Sequence, residues 1–234
     1  MTKLTSSMPC VLITGFAPFA GESINPSWQA VSKLDDNLIA KHRVIALELP
    51  CEFNRSLALL YQAIEQHHPV LVLCVGQAGG RSEISIERIA INIDDARIKD
   101  NAGNQPIDTP VIADAPAAYF ANLPIKRMLL ALHQGEIPAV ISNTAGTYVC
   151  NHVMYGLLHH INQHEPHIKG GFIHIPYLPS QALHHNGAPS MSEDTVLSAL
   201  KVLINEAIST KLDTKVAAGT THRSIWCTHA RVGA

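Results

Sequence analysis

Two side chains in this sequence are candidates for a nucleophile and its base: Cys150 and His174. Cys150 stands where the turn 145–148 gives way to a helical pattern, with Val149, Val153, Met154, Leu157 and Leu158 keeping the 3.6-residue period. A thiol in the first turn of a helix faces unpaired N–H groups and the positive end of the dipole, which favour thiolate. A free cysteine there can equally be a small buried hydrophobe. His174 lies in the apolar run Phe-Ile-His-Ile-Pro. It is either a core histidine bonded to the backbone or, beside a cysteine in the same cleft, the base of a Cys–His pair. Glu87 falls in the alternating run 84–93, where strand parity puts it on a face with Ile89, Ile91 and Ile93. A carboxylate on that face needs a partner, and an imidazole to orient would be one; a solvated strand start is the alternative.

Other chemistries find less support. The fourteen histidines include a crowded group, His159, His160, His164 and His167 beside Glu165, but no His-Glu-x-x-His spacing, so no metal is expected. The glycines of 15–21 and 76–80 match neither a P-loop nor a dinucleotide fingerprint. A nucleoside-processing enzyme on a similar sheet would ask for such a cradle. No cofactor is called for.

The elements that must position these residues alternate along the chain. Short β-branched runs at 11–14, 44–49, 70–75, 139–142 and 171–175 read as buried strands. Helical periods occupy 28–34, with Asn25 or Ser27 as cap, then 57–67, 125–133, 150–160 and 193–208. Strands separated by helices of this length predict βαβ units and a single α/β domain: a three-layer α/β/α sandwich around a mostly parallel twisted sheet. In such sheets ligands sit beyond the carboxyl ends of the strands, where Phe16 and Phe19, Gln77, Asn143 and His174 all fall. The polar stretch 94–116 is long for a plain connection, which marks it as a lid, a binding loop or an assembly surface. The domain spans 1–208, and 209–234 is expected to be a loosely ordered tail.

Composition narrows the setting. Hydrophobic residues make up 47% and charged residues 15% of 234, enough for a large core. A formal charge of −2 gives no polycationic face, so neither nucleic acid nor an anionic membrane is expected as a partner. No apolar run reaches the ~18 residues a membrane helix needs. The five cysteines (Cys10, Cys51, Cys74, Cys150, Cys227) are odd in number and show no paired spacing, which predicts a reducing, cytoplasmic location rather than a disulfide framework.

Several ordered motifs then agree. They are Thr-Gly-Phe-Ala-Pro-Phe-Ala-Gly-Glu at 14–22 with Asn25-Pro26, Gly-Arg-Ser-Glu-Ile-Ser-Ile-Glu-Arg-Ile-Ala-Ile-Asn at 80–92, Ala-Pro-Ala-Ala-Tyr-Phe at 115–120, Ser-Asn-Thr-Ala-Gly-Thr-Tyr-Val-Cys-Asn at 142–151, and Ile-His-Ile-Pro-Tyr at 173–177. With them the chain resembles pyroglutamyl peptidase type I, or pyrrolidone-carboxylate peptidase, a cysteine peptidase family, over roughly 11–208. The resemblance implies hydrolysis of the amide bond after an N-terminal pyroglutamyl residue of a peptide, through a thioester. It implies a Cys150–His174–Glu87 triad, a pyroglutamyl pocket from Phe16, Phe19 and Asn25 with Ile98, Tyr148 and Val149 nearby, and a homotetramer. The sequence departs from the family at Ala17, where an acidic residue is common, and at Ala20, where glycine is common.

Overall fold

The computed structural model describes residues 8–219. The elements are, in order, β1 (Cys10–Phe16), α1 (Pro26–Ser32), β2 (Leu38–Ile39), β3 (His42–Leu49), α2 (Arg55–His67), β4 (Leu71–Gln77), β5 (Ile84–Glu87), β6 (Ile89–Ile91), β7 (Ala118–Phe120), α3 (Ile125–Gln134), β8 (Ala139–Ser142), α4 (Val149–His164), β9 (Lys169–Ile175), α5 (Pro179–Ala182) and α6 (Glu193–Ser209). Seven strands form one sheet in the order β2-β3-β1-β4-β9-β5-β8. The pairs β1/β3, β1/β4, β4/β9 and β5/β8 are parallel, while β2/β3 and β5/β9 are antiparallel.

Both faces of this sheet are covered, which is why its central strands read as unbroken apolar runs rather than alternating ones. On one face Val11, Ile13, Leu73, Val75, Ile86 and Ile173 pack against α1, α3 and α6. On the other Leu12, Val72, Cys74 and Phe172 pack against α2 and α4. The predicted sandwich is therefore present. The antiparallel β5 is its one reversed central strand, and it has a consequence for the site.

Three short elements escaped the periodicity: β2, β7 and α5 have only 2, 3 and 4 residues, too few to show a period. The alternating run 84–93 is also two strands rather than one. It breaks at Arg88, after which β6 leaves the main sheet and pairs with β7. Glu87 thus shares its face with Ser85 within β5, not with Ile89, Ile91 and Ile93, because parity does not carry across a chain that changes sheet.

Residues 210–219 run along the body. Asp213 accepts from the N–H groups of Lys126 (3.1 Å) and Arg127 (3.0 Å) in the first turn of α3, where Pro124 offers no capping side chain. The carbonyl of Ala218 accepts from Lys126 Nζ at 2.9 Å and Arg88 Nη2 at 2.6 Å. Cys227 lies outside the described residues.

Candidate active site

The position of Cys150 follows from α4. Val153, Met154, Leu157, Leu158 and Ile161 are all buried under the sheet, and fully burying such side chains is worth about 1.5–3 kcal/mol each. That packing fixes the start of the helix. Tyr148 stands at the N-cap and its side chain makes no capping bond. The first-turn N–H groups therefore keep their donors for something else.

His174 comes from β9, whose register places it directly beside Gly76 of β4 and Ser85 of β5. A β-carbon on Gly76 would lie 3.0 Å from Cys150 Sγ and 2.8 Å from the Phe172 ring. The sulfur thus rests on the glycine next to His174, and only glycine leaves room for it. Because β5 runs antiparallel to β9, its last residue, Glu87, reaches the same face two positions beyond Ser85. Glu87 Oε1 lies 2.8 Å from His174 Nδ1, with the carboxylate fully buried and the histidine 4% exposed. Arg81 Nη1 donates to the same Oε1 at 2.9 Å, whereas Oε2 has no partner among the described residues. A buried carboxylate that is not paired would be costly, and the guanidinium and imidazole supply the pairing.

Cys150 and His174 line one cavity of about 700 Å³, together with Phe19, Gln77, Asp95, Arg97, Ile98, Tyr148 and the turn 145–147. A second cavity, of about 350 Å³, is walled by Phe53, Asp94 and Gln105 and touches neither Cys150 nor His174. Burial pushes the Cys150 thiol well above its ordinary value; the Cys51 thiol, the Glu87 carboxylate and the Cys74 thiol push the same way, against Arg81. The first-turn position acts the other way and favours thiolate.

A thiol, an imidazole oriented through Nδ1 by a buried carboxylate, and unspent N–H groups at a helix start are the parts of a nucleophilic acyl-transfer site. The comparisons with known proteins agree with it. The pyroglutamyl peptidase family model matches residues 9–210. The chain is 57% identical over 212 residues to the pyrrolidone-carboxylate peptidases of Yersinia pestis (strain Pestoides F) and Yersinia pseudotuberculosis serotype I (strain IP32953), covering 91% of this chain and 99% of each relative. Pyroglutamyl peptidase I of Bacillus amyloliquefaciens superposes with a TM-score of 0.86 at 48% identity, over 88% of this chain and all of that one. A mutant pyrrolidone carboxyl peptidase from Pyrococcus furiosus gives 0.82 at 45% identity, over 85% and 97%. The chain belongs to the pyroglutamyl peptidase family. It is a cysteine peptidase on the family's α/β fold.

Of the six pocket residues that the family resemblance points to, Phe19, Ile98 and Tyr148 line the cavity. Phe16 is 2% exposed behind it, its ring 6.3 Å from that of Phe172. Asn25 is 3% exposed and caps α1: its Oδ1 accepts from the Ser27 N–H at 3.1 Å and the Ser27 hydroxyl at 2.8 Å, and its Nδ2 donates to the Ala17 carbonyl. It shapes the Phe19 loop rather than facing the cavity. Val149, the first residue of α4, is buried in the core. Ala20 takes φ +54° in that loop, a region that costs a residue with a β-carbon roughly 1–2 kcal/mol, which is why glycine is common there.

The sequence reading passed over Arg81, Asp95 and Arg97. Their signal was weak, since surface-type charges next to glycine and in a polar loop look like ordinary solvated groups. The stretch 94–116 walls the cavity in part, through Asp95, Arg97 and Ile98. The crowded histidines do other work: His159 meets the Tyr119 hydroxyl at 3.0 Å and His160 stacks on Tyr61 at 4.7 Å. No group of metal-ligating residues occurs among the described residues.

Proposed function

We propose that Cys150, His174 and Glu87 carry out the removal of an N-terminal pyroglutamyl residue in this chain. The observation that carries the reading is the join between cavity and dyad. The His174–Glu87 pair opens into the same cavity as Cys150, with the sulfur seated on the glycine beside His174.

As Sγ attacks the pyroglutamyl carbonyl, its proton passes to His174 Nε2, and a carbon–sulfur bond forms. Glu87 holds the Nδ1–H tautomer and stabilises the imidazolium that results. First-turn N–H groups at Val149 and Cys150 can receive the oxyanion, each donor being worth about 3 kcal/mol. When the carbon–nitrogen bond breaks, His174 returns the proton to the leaving amine. Water, deprotonated by His174, then cleaves the thioester and restores the thiol.

The ring would lie against Phe19 and Tyr148, whose rings are 6.2 Å apart, with Ile98 beside them. A flat, uncharged lactam suits that wall. An open-chain residue or a proline would bring an ammonium group that must shed water there. Release of an arylamine from pyroglutamyl arylamide, with and without prior alkylation of Cys150, tests the reading, and kcat/KM for prolyl and glutamyl arylamides tests the ring pocket. Preference for pyroglutamyl by several orders of magnitude is expected. Comparable rates for all three would remove the lactam assignment, and no release by the unalkylated protein would remove the activity.

A cytoplasmic setting and a homotetramer belong to the same proposal. Cys10, Cys51, Cys74 and Cys150 are all free thiols, which suits a reducing compartment. Phe120 at 69% and Leu183 at 81% exposure are apolar surface that an assembly could cover. No helix among the described residues is long and apolar enough to cross a membrane. Light scattering of the purified chain measures the assembly; a monomer at micromolar concentration would refute it.

A further inference from the structure

Gln77 ends β4 and lines the cavity one residue beyond Gly76. A glutamine amide can present either its oxygen or its NH2 group to a ligand, and which one it presents decides what the pocket can recognise. Here the choice is made elsewhere. Gln181, on α5, is 2% exposed. Its Oε1 accepts from the Leu178 N–H at 3.3 Å, and its Nε2 reaches the Ile24 carbonyl at 3.4 Å and Gln77 Oε1 at 3.1 Å. A backbone N–H can only donate and a backbone carbonyl can only accept. Flipping the Gln181 amide would therefore set donor against donor at Leu178 and acceptor against acceptor at Ile24. With Gln181 fixed as a donor, Gln77 must answer with its oxygen. Its Nε2 is then left with no protein partner among the described residues.

We propose that Gln181 is a positioning residue: it sets the direction of the Gln77 amide, so that the cavity offers an N–H donor to the ring carbonyl of the pyroglutamyl group. This rests on the function proposed above. The side of the strand identifies which carbonyl is served. Gly76, beneath Cys150 Sγ, faces α4. Gln77, one residue on, faces the opposite way, toward Gln181 and Ile24 of the same loop that carries Phe19. The donor thus enters the cavity from the other side of the strand to Cys150 Sγ, next to the loop that carries Phe19.

The test uses Gln181→Glu and Gln181→Met in the full chain, with pyroglutamyl arylamide as substrate and 2-pyrrolidone, the bare lactam ring, as competitive ligand. A glutamate keeps an acceptor for the Leu178 N–H but can only accept from Gln77, which must then turn its NH2 inward and its oxygen to the cavity. The expected result is KM and the 2-pyrrolidone Ki rising together by roughly 10-fold or more, the loss of about one hydrogen bond plus an opposed dipole. The kcat should stay within about threefold. Methionine removes the direction without inverting it, and both constants should rise by a smaller, equal factor. An unchanged rate of Cys150 alkylation checks the fold, and if Gln181→Glu does not fold, the Ki of Gln181→Met decides. Wild-type KM and Ki in the folded variants would overturn the proposal. So would a fall in kcat with Ki unchanged, which would assign the donor to the scissile carbonyl. If instead the unmutated protein neither turns over the arylamide nor binds 2-pyrrolidone, the proposed function itself has failed.

Discussion

The helix and sheet face that hold Cys150 carry two histidine–carboxylate pairs of nearly the same geometry. His174 Nδ1 lies 2.8 Å from Glu87 Oε1, and His152 Nδ1 lies 2.8 Å from Asp94 Oδ2. Side chains of both pairs are buried, at 5% and 0% exposure for the first and 1% and 7% for the second. They differ at the far nitrogen. His152 Nε2 accepts the Asn54 N–H at 3.0 Å, so both of its nitrogens are spent on protein. His174 Nε2 is left to the cavity. A histidine can move a proton only through a nitrogen that the fold has not already used, and by that standard one pair can do chemistry while the other can only hold. What the second pair holds is specific. It ties α4 to the loop of Phe53 and Asn54 and to the head of the loop bearing Asp95, Arg97 and Ile98. Phe53 in turn packs edge-on against both Tyr148 and His152, at 5.4 and 5.3 Å.

The largest effect expected from breaking this comparison is at the open pair and its thiol. Cys150→Ala should abolish turnover and leave folding intact, since a methyl group fits the space over Gly76. His174→Ala should lower kcat by on the order of 10⁴–10⁶. Single-turnover and steady-state assays with pyroglutamyl arylamide measure both. More than about one per cent of wild-type activity in Cys150→Ala would move the nucleophile elsewhere.

Glu87→Gln comes next, costing roughly 10²–10⁴ in kcat. The amide can still accept from Nδ1, but it brings no charge for the imidazolium, and its NH2 group can favour the wrong tautomer. It also strands the Arg81 guanidinium. A wild-type rate would make Glu87 a structural partner of Arg81 alone.

How these residues read in the sequence differs for physical reasons. Buried strands such as β1 and β4 are legible because burial on both faces demands unbroken apolar runs, and α4 because its core side chains keep a period. Cys150, His174 and Glu87 are legible because each is an odd residue in an otherwise apolar stretch, and the resemblance to the family implies their grouping. His152 is just as odd, yet nothing along the chain distinguishes it from His174: the decisive fact is the Asn54 N–H, 98 residues away. Arg81 and Gln181 act only through residues brought to them by the fold. Glu87 was placed on its proper face only by the break at Arg88, which no pattern of apolar residues announces.

A smaller effect, on stability rather than rate, is expected at the closed pair. His152→Leu leaves the Asn54 N–H and the Asp94 carboxylate without their partner, at a cost of about 2 kcal/mol. For a domain of this size that lowers Tm by roughly 4–8 °C. The kcat should remain within a fewfold and KM should rise, because the cavity loop is loosened while the thiol and its base are untouched. A loss of kcat at constant KM, read from saturation curves below the lowered Tm, would mean that His152 takes part in proton transfer.

The smallest effect is the sharpest contrast. Asp94→Asn makes the same isosteric change as Glu87→Gln, at the same distance from a histidine Nδ1. In the closed pair the Asn54 N–H fixes Nε2 as an acceptor, so Nδ1 carries the hydrogen in every state of the cycle. An amide oxygen can accept that hydrogen nearly as well as a carboxylate oxygen, and no positive charge forms that a carboxylate would be needed to stabilise. The swap even lightens one burden, since Asp94 Oδ1 is buried with no partner among the described residues. Asp94→Asn should therefore change kcat by less than about twofold and stability by about 1 kcal/mol or less, whereas Glu87→Gln costs orders of magnitude. Parallel kcat and Tm measurements on the two variants decide the point. Equal losses of kcat in both would mean that the free nitrogen of His174 is not what separates the pairs, and that the two carboxylates support the site in the same way.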